Sequence, residues 1–444
     1  MKKKKIKTVI NKQKIFIFIS FIFLLVCVLW YGGRAIYFYL DSRKTIENED
    51  KLLAQTIIDK NYGTDNFKKI NGDNYFYNDT KTNYLTYSNI LWRIIKVTKD
   101  NEIVLISENP LTVLAYGEDK NLKSSYITKW LNDKNTDDSG ILEKNLNNVD
   151  NYLMKTKTCT DDVKNIKNIS CKKTNNDNYL SLLSVMDYIN TGSDESFINN
   201  GNYTYLANTD NKNNAWYMNE DGKLDTTDGT DVYGVKAVIT IKPTVSLVSG
   251  DGTEGSPYKI EDKNSYFASY VKLGEDIYRV YDTQNDILKL SLNNYLTVDN
   301  EPLEYIYSNN DYYHNDTIYG SLAYYLNNRY LSSLSYQDSV LNNKYPNIIY
   351  GTDSEFDYGN INVNTIDTKV YMLSIGDVML NDLDNYFLAT GTNDTDNSVY
   401  IKLKNGTVDM IDVTSDANVV PCISIDKSIL KQGSGTLDDP YRME

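Results

Sequence analysis

The chain has 444 residues, 41% hydrophobic and 24% charged, with 23 Gly, 7 Pro and 4 Cys. That composition excludes a disordered, collagen-like or disulfide-scaffold protein and leaves room for two or three domains with their own cores. A net charge of −14 and a single His, His314, exclude a nucleic-acid partner, His-based triads and most zinc sites built on His pairs.

The first fourteen residues, MKKKKIKTVINKQK, are basic and hold no acid, and Ile15 to Gly33 is an uncharged apolar run. As a helix that run spans roughly 28 Å, close to the ~30 Å of a bilayer's hydrocarbon core. Arg34 can snorkel, which extends the span to Leu40, and Trp30, Tyr31, Tyr37 and Tyr39 suit an interfacial belt. The expectation is a basic cytoplasmic tail (1–14), an uncleaved transmembrane helix (15–40) with the N-terminus inside, and the bulk of the chain extracytoplasmic. A cleaved signal peptide is the rival, but WYGGRAIYFYL offers no small-residue cleavage site. Leu24-Leu25-Val26-Cys27 is only a loose lipobox. Residues 1–34 hold eight basic groups, which leaves −22 on the rest. Such an exterior stays soluble and resists anionic surfaces. Residues 41–60 read as a helical stalk, with Ile46, Leu53 and Ile57 on one stripe.

Beyond the stalk the chain repeats itself. Ser249–Glu261 (SGDGTEGSPYKIE) matches Gln432–Glu444 (QGSGTLDDPYRME) at six of thirteen positions. Other blocks follow in order. NILWRIIKV (89–97) recurs as EDIYRVYDT (275–283) with Arg93 and Arg279 as the fixed point. Leu111-Thr112-Val113 recurs as Leu296-Thr297-Val298. YITKWLND recurs as LAYYLNNR, LLSVMDY as MLSIGDV, AWYMNEDGKL as VYIKLKNGTV, and VKAVITI as VVPCISI. Offsets drifting between 183 and 196 indicate duplication with insertions in loops. The expected repeats are 61–261 and 262–444.

WRIIKV and EIVLIS read as a strand hairpin, and VITI and CISI as buried strands. Ser125–Leu131 and Ser321–Leu326 read as short Ser-capped helices, and Leu180–Tyr188 and Tyr371–Leu380 as a second helix pair. Asp221-Gly222 and Asn405-Gly406 suggest type I′ turns. Strands, inserted helices, then strands again give an α+β class. The blocks YSNILWRI, KWLND, LLSVMDY, AWYMNEDGK, VKAVITI and GDGTEGSPY resemble an uncharacterised extracytoplasmic domain of membrane-anchored Firmicutes surface proteins. That domain is distantly similar to the formylglycine-generating-enzyme branch of the C-type-lectin-like folds. The resemblance covers nearly all of 74–261, more faintly the second repeat, and implies a compact mixed surface domain with no established activity. The enzyme branch uses a pair of active-site cysteines; neither repeat has a matching pair.

Cys159 and Cys171 close a loop on the expected outer side. A disulfide there, worth ~3 kcal/mol on the chain-entropy estimate, is expected over two free thiols. No C-x-x-C spacing or nearby His supports a metal. Cys27 reads as filler within the anchor and Cys422 as a buried small hydrophobe. Asn219–Asp225 has a partial calcium-loop pattern, but Tyr217 stands at the first ligand position and the second copy lacks the acids. His314 reads as a loop residue. Trp92, Trp130 and Trp216, replaced by Tyr278, Tyr325 and Val399, read as core rather than a ligand platform. Tyr is abundant, but that bias follows an AT-rich codon usage and is weak support for sugar binding. No catalytic, cofactor or metal residue stands out. The expectation is a membrane-anchored surface protein that binds a cell-wall glycan or a partner protein, or organises the envelope, without catalysis. The alternatives are a carboxylate-dependent enzyme on surface polysaccharide or peptidoglycan, and a structural spacer.

Overall fold

Continuous β-branched runs such as Ile103–Ser107 and Val238–Ile241 bury both faces, so they must lie at the centre of a covered sheet. In the computed structural model they do. It describes residues 51–443 apart from 118, 133–140, 168, 262–264, 309–318, 350–361 and 392–397. The larger sheet of the first half runs Tyr258–Lys259, Tyr84–Tyr87, Ile90–Val97, Ile103–Ser107, Val238–Ile241, Leu180–Ser181. In the second half Tyr441–Arg442, Tyr270–Leu273, Asp276–Gln284, Ile287–Leu292, Cys422–Asp426 and Val370–Tyr371 follow the same order. Both begin with a parallel pair of the half's last strand and the strand that leads into its long central hairpin.

The smaller sheets match as well. Leu224–Thr227, Ala215–Met218, Thr204–Thr209, Val232–Gly234 and Val113–Ala115 correspond to Val408–Asp412, Ser398–Lys402, Tyr386–Gly391, Asp416–Asn418 and Glu304–Ile306. The first half adds a hairpin, Phe67–Ile70 with Asp73–Phe76. The second adds Asn343–Ile349 with Asn362–Thr368. The described fold is mainly β with few and short helices, further toward β than the expected α+β balance. Residues 52–444 form one unit, and a single hydrophobic cluster runs through both halves.

The shared GxGT…PY motif closes each half. Gly250 and Gly433 have φ of +90° and +93°. A Cβ there would lie 1.9 Å from the Pro257 carbonyl oxygen or 2.1 Å from that of Pro440, so only glycine fits. The loop then offers the Gly252 carbonyl to Tyr84 N–H and the Gly435 carbonyl to Tyr270 N–H, which starts the parallel pair. A second shared device is an asparagine clip. The Asn132 amide donates to the Leu180 carbonyl and its oxygen accepts from Leu180 N–H; Asn327 treats Val370 identically. Ser125 and Ser321 cap the helices that carry these clips.

Four expectations are corrected. Residues 53–60 do not stand off as a stalk. They lie in the helix Leu53–Asn61, whose Leu53, Ala54 and Ile57 are buried and whose Leu53 N–H bonds to the Val245 carbonyl. The two hairpin turns are not type I′, because only Gly222 and Gly406 have positive φ. At the first, Asn219 Oδ1 accepts from Asp221 and Lys223 N–H, giving an ordinary turn followed by a left-handed glycine. The second helix forms only in the first half, as Val185–Asn190. Its counterpart is broken by Gly376 at φ +91°, and Gly376 and Met379 N–H bond instead to the Val113 and Leu111 carbonyls. The Leu-Thr-Val match holds only at Leu111 and Leu296, which bond to Val235 and Val419. Thr297 and Val298 sit exposed on an inserted hairpin with Glu301–Pro302. Among the described residues no helix is long and apolar enough to cross a membrane; the anchor expected over 15–40, with Cys27, lies outside them.

Ile57→Ala tests the docking of the first described helix. Burial predicts a loss of about 2–5 kcal/mol in urea unfolding, whereas a free stalk residue would cost almost nothing.

Candidate functional site

The halves meet over polar contacts as well as apolar ones. Asp282 is buried, accepts from Asn145 Nδ2 at 2.8 Å, and lies 3.3 Å from Lys289 and 3.4 Å from Lys144. Trp130 Nε1 donates to the Gly376 carbonyl across the junction. Where this contact opens, two cavities of about 880 and 410 Å³ adjoin, sharing walls from Glu108, Asn109, Pro110, Met379, Asn381 and Asp382. One wall is the loop after strand Ile103–Ser107. The other is the 379–385 loop with the hairpin tip at 402–406. Asn109 Nδ2 donates to Asp382 at 3.2 Å, and Tyr203 N–H to the Asn405 carbonyl at 2.8 Å, so both rims are tied.

Behind the first wall lies a buried charge network. Arg93 stacks on Tyr84, donates to Asn83 Oδ1 and the Thr80 carbonyl, and pairs with Glu108 at 3.1 Å. Lys236 is wholly enclosed and donates to the Ile198 carbonyl at 2.8 Å. Burial pushes its amine down to about 7, with Glu108 pulling it up and Arg93 pressing it down. On the second wall, Lys402 is 8% exposed and donates to the Leu383 carbonyl at 2.7 Å. Burial pushes it down to about 8, against Asp382 and Asp384, which hold it up. Arg279 lines the smaller cavity.

The residues singled out in the sequence fall elsewhere. Cys159 and Cys171 are joined as a disulfide with Cα atoms 5.5 Å apart. They border a separate cavity of about 500 Å³ with Lys96 and Asp187. Cys422 is a free, buried thiol. In the 219–225 loop the Asn219 side chain is spent on backbone donors, and Asp221 faces Lys223 at 3.2 Å. Trp92, Trp130 and Tyr278 are fully buried, Val399 is buried, and Trp216 and Tyr325 are half-buried. His314 lies outside the described residues. Sequence reasoning missed Lys402 and the acids around it, and used Arg279 only as an alignment point. One signal was present: in the aligned blocks AWYM and VYIK, Lys402 stands where the first copy has Met218, an apolar core position.

Lys236 makes stability depend on pH. Its folded value, about 7, lies below the ordinary lysine value of about 10.4, so between these the unfolded chain binds more protons. Stability therefore rises with pH across that window and carries the full penalty below it. Lys236→Met should stabilise the protein at pH 6, by at most about 5 kcal/mol, and the gain should shrink toward pH 10. Parallel denaturation midpoints for the two proteins across pH 6–10 would refute this.

No family model, no curated protein and no solved structure matches this chain, so the functional reading rests on the chemistry of the groove itself.

Proposed function

We propose that this chain is a single-pass membrane protein whose extracytoplasmic body is a non-catalytic binding module, holding a glycan or a partner protein in the groove between its repeats. The repeats are part of the proposal: two related C-type-lectin-like domains, a reading supported by the shared strand order and by the parallel pair that closes each half. The observation that carries the functional reading is the groove. It is large enough for one or two sugar rings or a few residues of peptide, and it is lined by amides and charged groups on both walls. A second reading, an enzyme that uses carboxylates on surface polysaccharide, draws on Glu108, Asp382 and Asp384 in the same place.

The test is co-sedimentation of the detergent-solubilised full chain with cell-wall sacculi, with and without calcium, and assay of released soluble fragments. Retention without release is expected. Release of fragments would establish the enzyme reading. Absence of both would overturn the wall-glycan form and direct crosslinking toward protein partners, and calcium-dependent retention would reopen the 219–225 loop as a metal site.

A further inference from the structure

The duplicated fold places equivalent residues in equivalent settings, so a charge balanced in one copy and unbalanced in the other is informative. Arg93 and Arg279 occupy the same register, opposite Tyr84 and Tyr270, and each stacks on that tyrosine, at 4.0 and 4.2 Å. In the first copy the counter-ion is Glu108, whose N–H bonds to the Leu91 carbonyl. The matching bond in the second copy runs from Asn293 to Ile277, so Asn293 stands where Glu108 would. Arg279 is left with three neutral acceptors: the Ala268 carbonyl, Tyr270 Oη and the Asn89 carbonyl. Among the described residues no carboxylate reaches ion-pair distance of it.

Lys402 shows the same loss of balance. The register puts it opposite Tyr386, as Met218 lies opposite Thr204. A buried apolar position in one copy therefore carries an ammonium in the other, and one carbonyl satisfies only one of its three protons. The charge of Asp382 acts on both cations, yet it lies at ion-pair distance of neither and accepts from Asn109. Burying a cation without a paired anion is strongly unfavourable. Lys402 lines the larger of the adjoining cavities and Arg279 the smaller.

We propose that the groove takes a carboxylate of its ligand between Arg279 and Lys402. This rests on the binding-module reading and names the chemistry that the groove selects. The acidic exterior, at −22 beyond residue 34, disfavours a polyanion. Its reach is screened within about 10 Å at 0.1 M salt, so a ligand bearing a single carboxylate on an otherwise neutral body can still enter. Such a carboxylate has two sources, an acidic sugar or the free end of a peptide.

Calorimetry and saturation-transfer NMR on the detergent-solubilised full chain decide the matter with four probes: glucuronate against glucose, and N-acetyl-Ala-Ala as free acid against its amide. Preference for either acid over its neutral partner is expected, and which acid is preferred identifies the source. Two variants copy the first repeat and so keep a packing the fold already uses. Asn293→Glu gives Arg279 an internal counter-ion, and Lys402→Met removes the ammonium; each should weaken acid binding at least tenfold, with thermal melting retained. Equal binding of acid and neutral partners, no binding of either acid, or variants that bind like the parent would overturn the proposal. Sacculus retention unchanged in the double variant would sink the carboxylate site while leaving the binding module standing. Acid binding without any retention on sacculi would keep the carboxylate site and overturn only the wall-glycan form of the binding module.

Discussion

Each half depends on one closure: its last strand returns to pair in parallel with the strand that leads into its central hairpin, Tyr84–Tyr87 or Tyr270–Leu273. A short parallel pair holds little free energy of its own, so the loop that delivers it must be nearly rigid. Gly250 and Gly433 supply that rigidity by leaving no room for a Cβ against the Pro257 and Pro440 carbonyls, and the loop carbonyls of Gly252 and Gly435 start the ladder. This accounts for where the two copies agree best. The thirteen-residue motif is repeated because its backbone path admits few alternatives, whereas strand positions tolerate any residue of suitable size and polarity.

Closed halves can be joined only through their surfaces, and the junction shows how. Burial works against the Asp282 carboxylate, but Lys289 and Lys144 more than offset it and hold it below the usual range. Asn145 bridges the same carboxylate and the Thr283 N–H. The segment 374–379 gives up a helix and uses its backbone donors on the other half. The junction is therefore partly made of material that an isolated copy would have used internally. The groove lies beside these fixed contacts, where neither half needs its side chains for closure.

The strands and the closing motif were legible because they are local patterns that recur. The drift in offset was visible, but not its cause: a π-helical stretch, Tyr325–Tyr330, lengthens one helix, and the 297–302 hairpin is inserted bodily. The groove was not legible. Its walls come from residues nearly three hundred positions apart, and in the run IKLKNG Lys402 looks no different from Lys404, which is exposed. Only the packed sheet shows that one points inward. The tyrosines also needed the structure. Tyr278, Tyr330 and Tyr336 share hydroxyl hydrogen bonds in the core, and the hydroxyls of Tyr87, Tyr188 and Tyr205 each donate to a backbone carbonyl. Much of the tyrosine content is thus structural, as its codon bias alone would allow.

Comparison of the two halves shows where buried charge stands without a paired anion. In the first copy Arg93, Glu108 and Lys236 form a network that balances itself only in part, since Lys236 is driven toward the neutral amine. In the second, the positions of Glu108 and Lys236 hold Asn293 and Val420, which removes one charge of each sign and leaves the arginine. With both absent, the net charge of the site equals that of the first half when Lys236 is protonated. What changes is where the anion comes from. An arginine whose counter-ion is part of the fold is structural; the same arginine, with that carboxylate deleted and a cavity in front of it, is available to something outside.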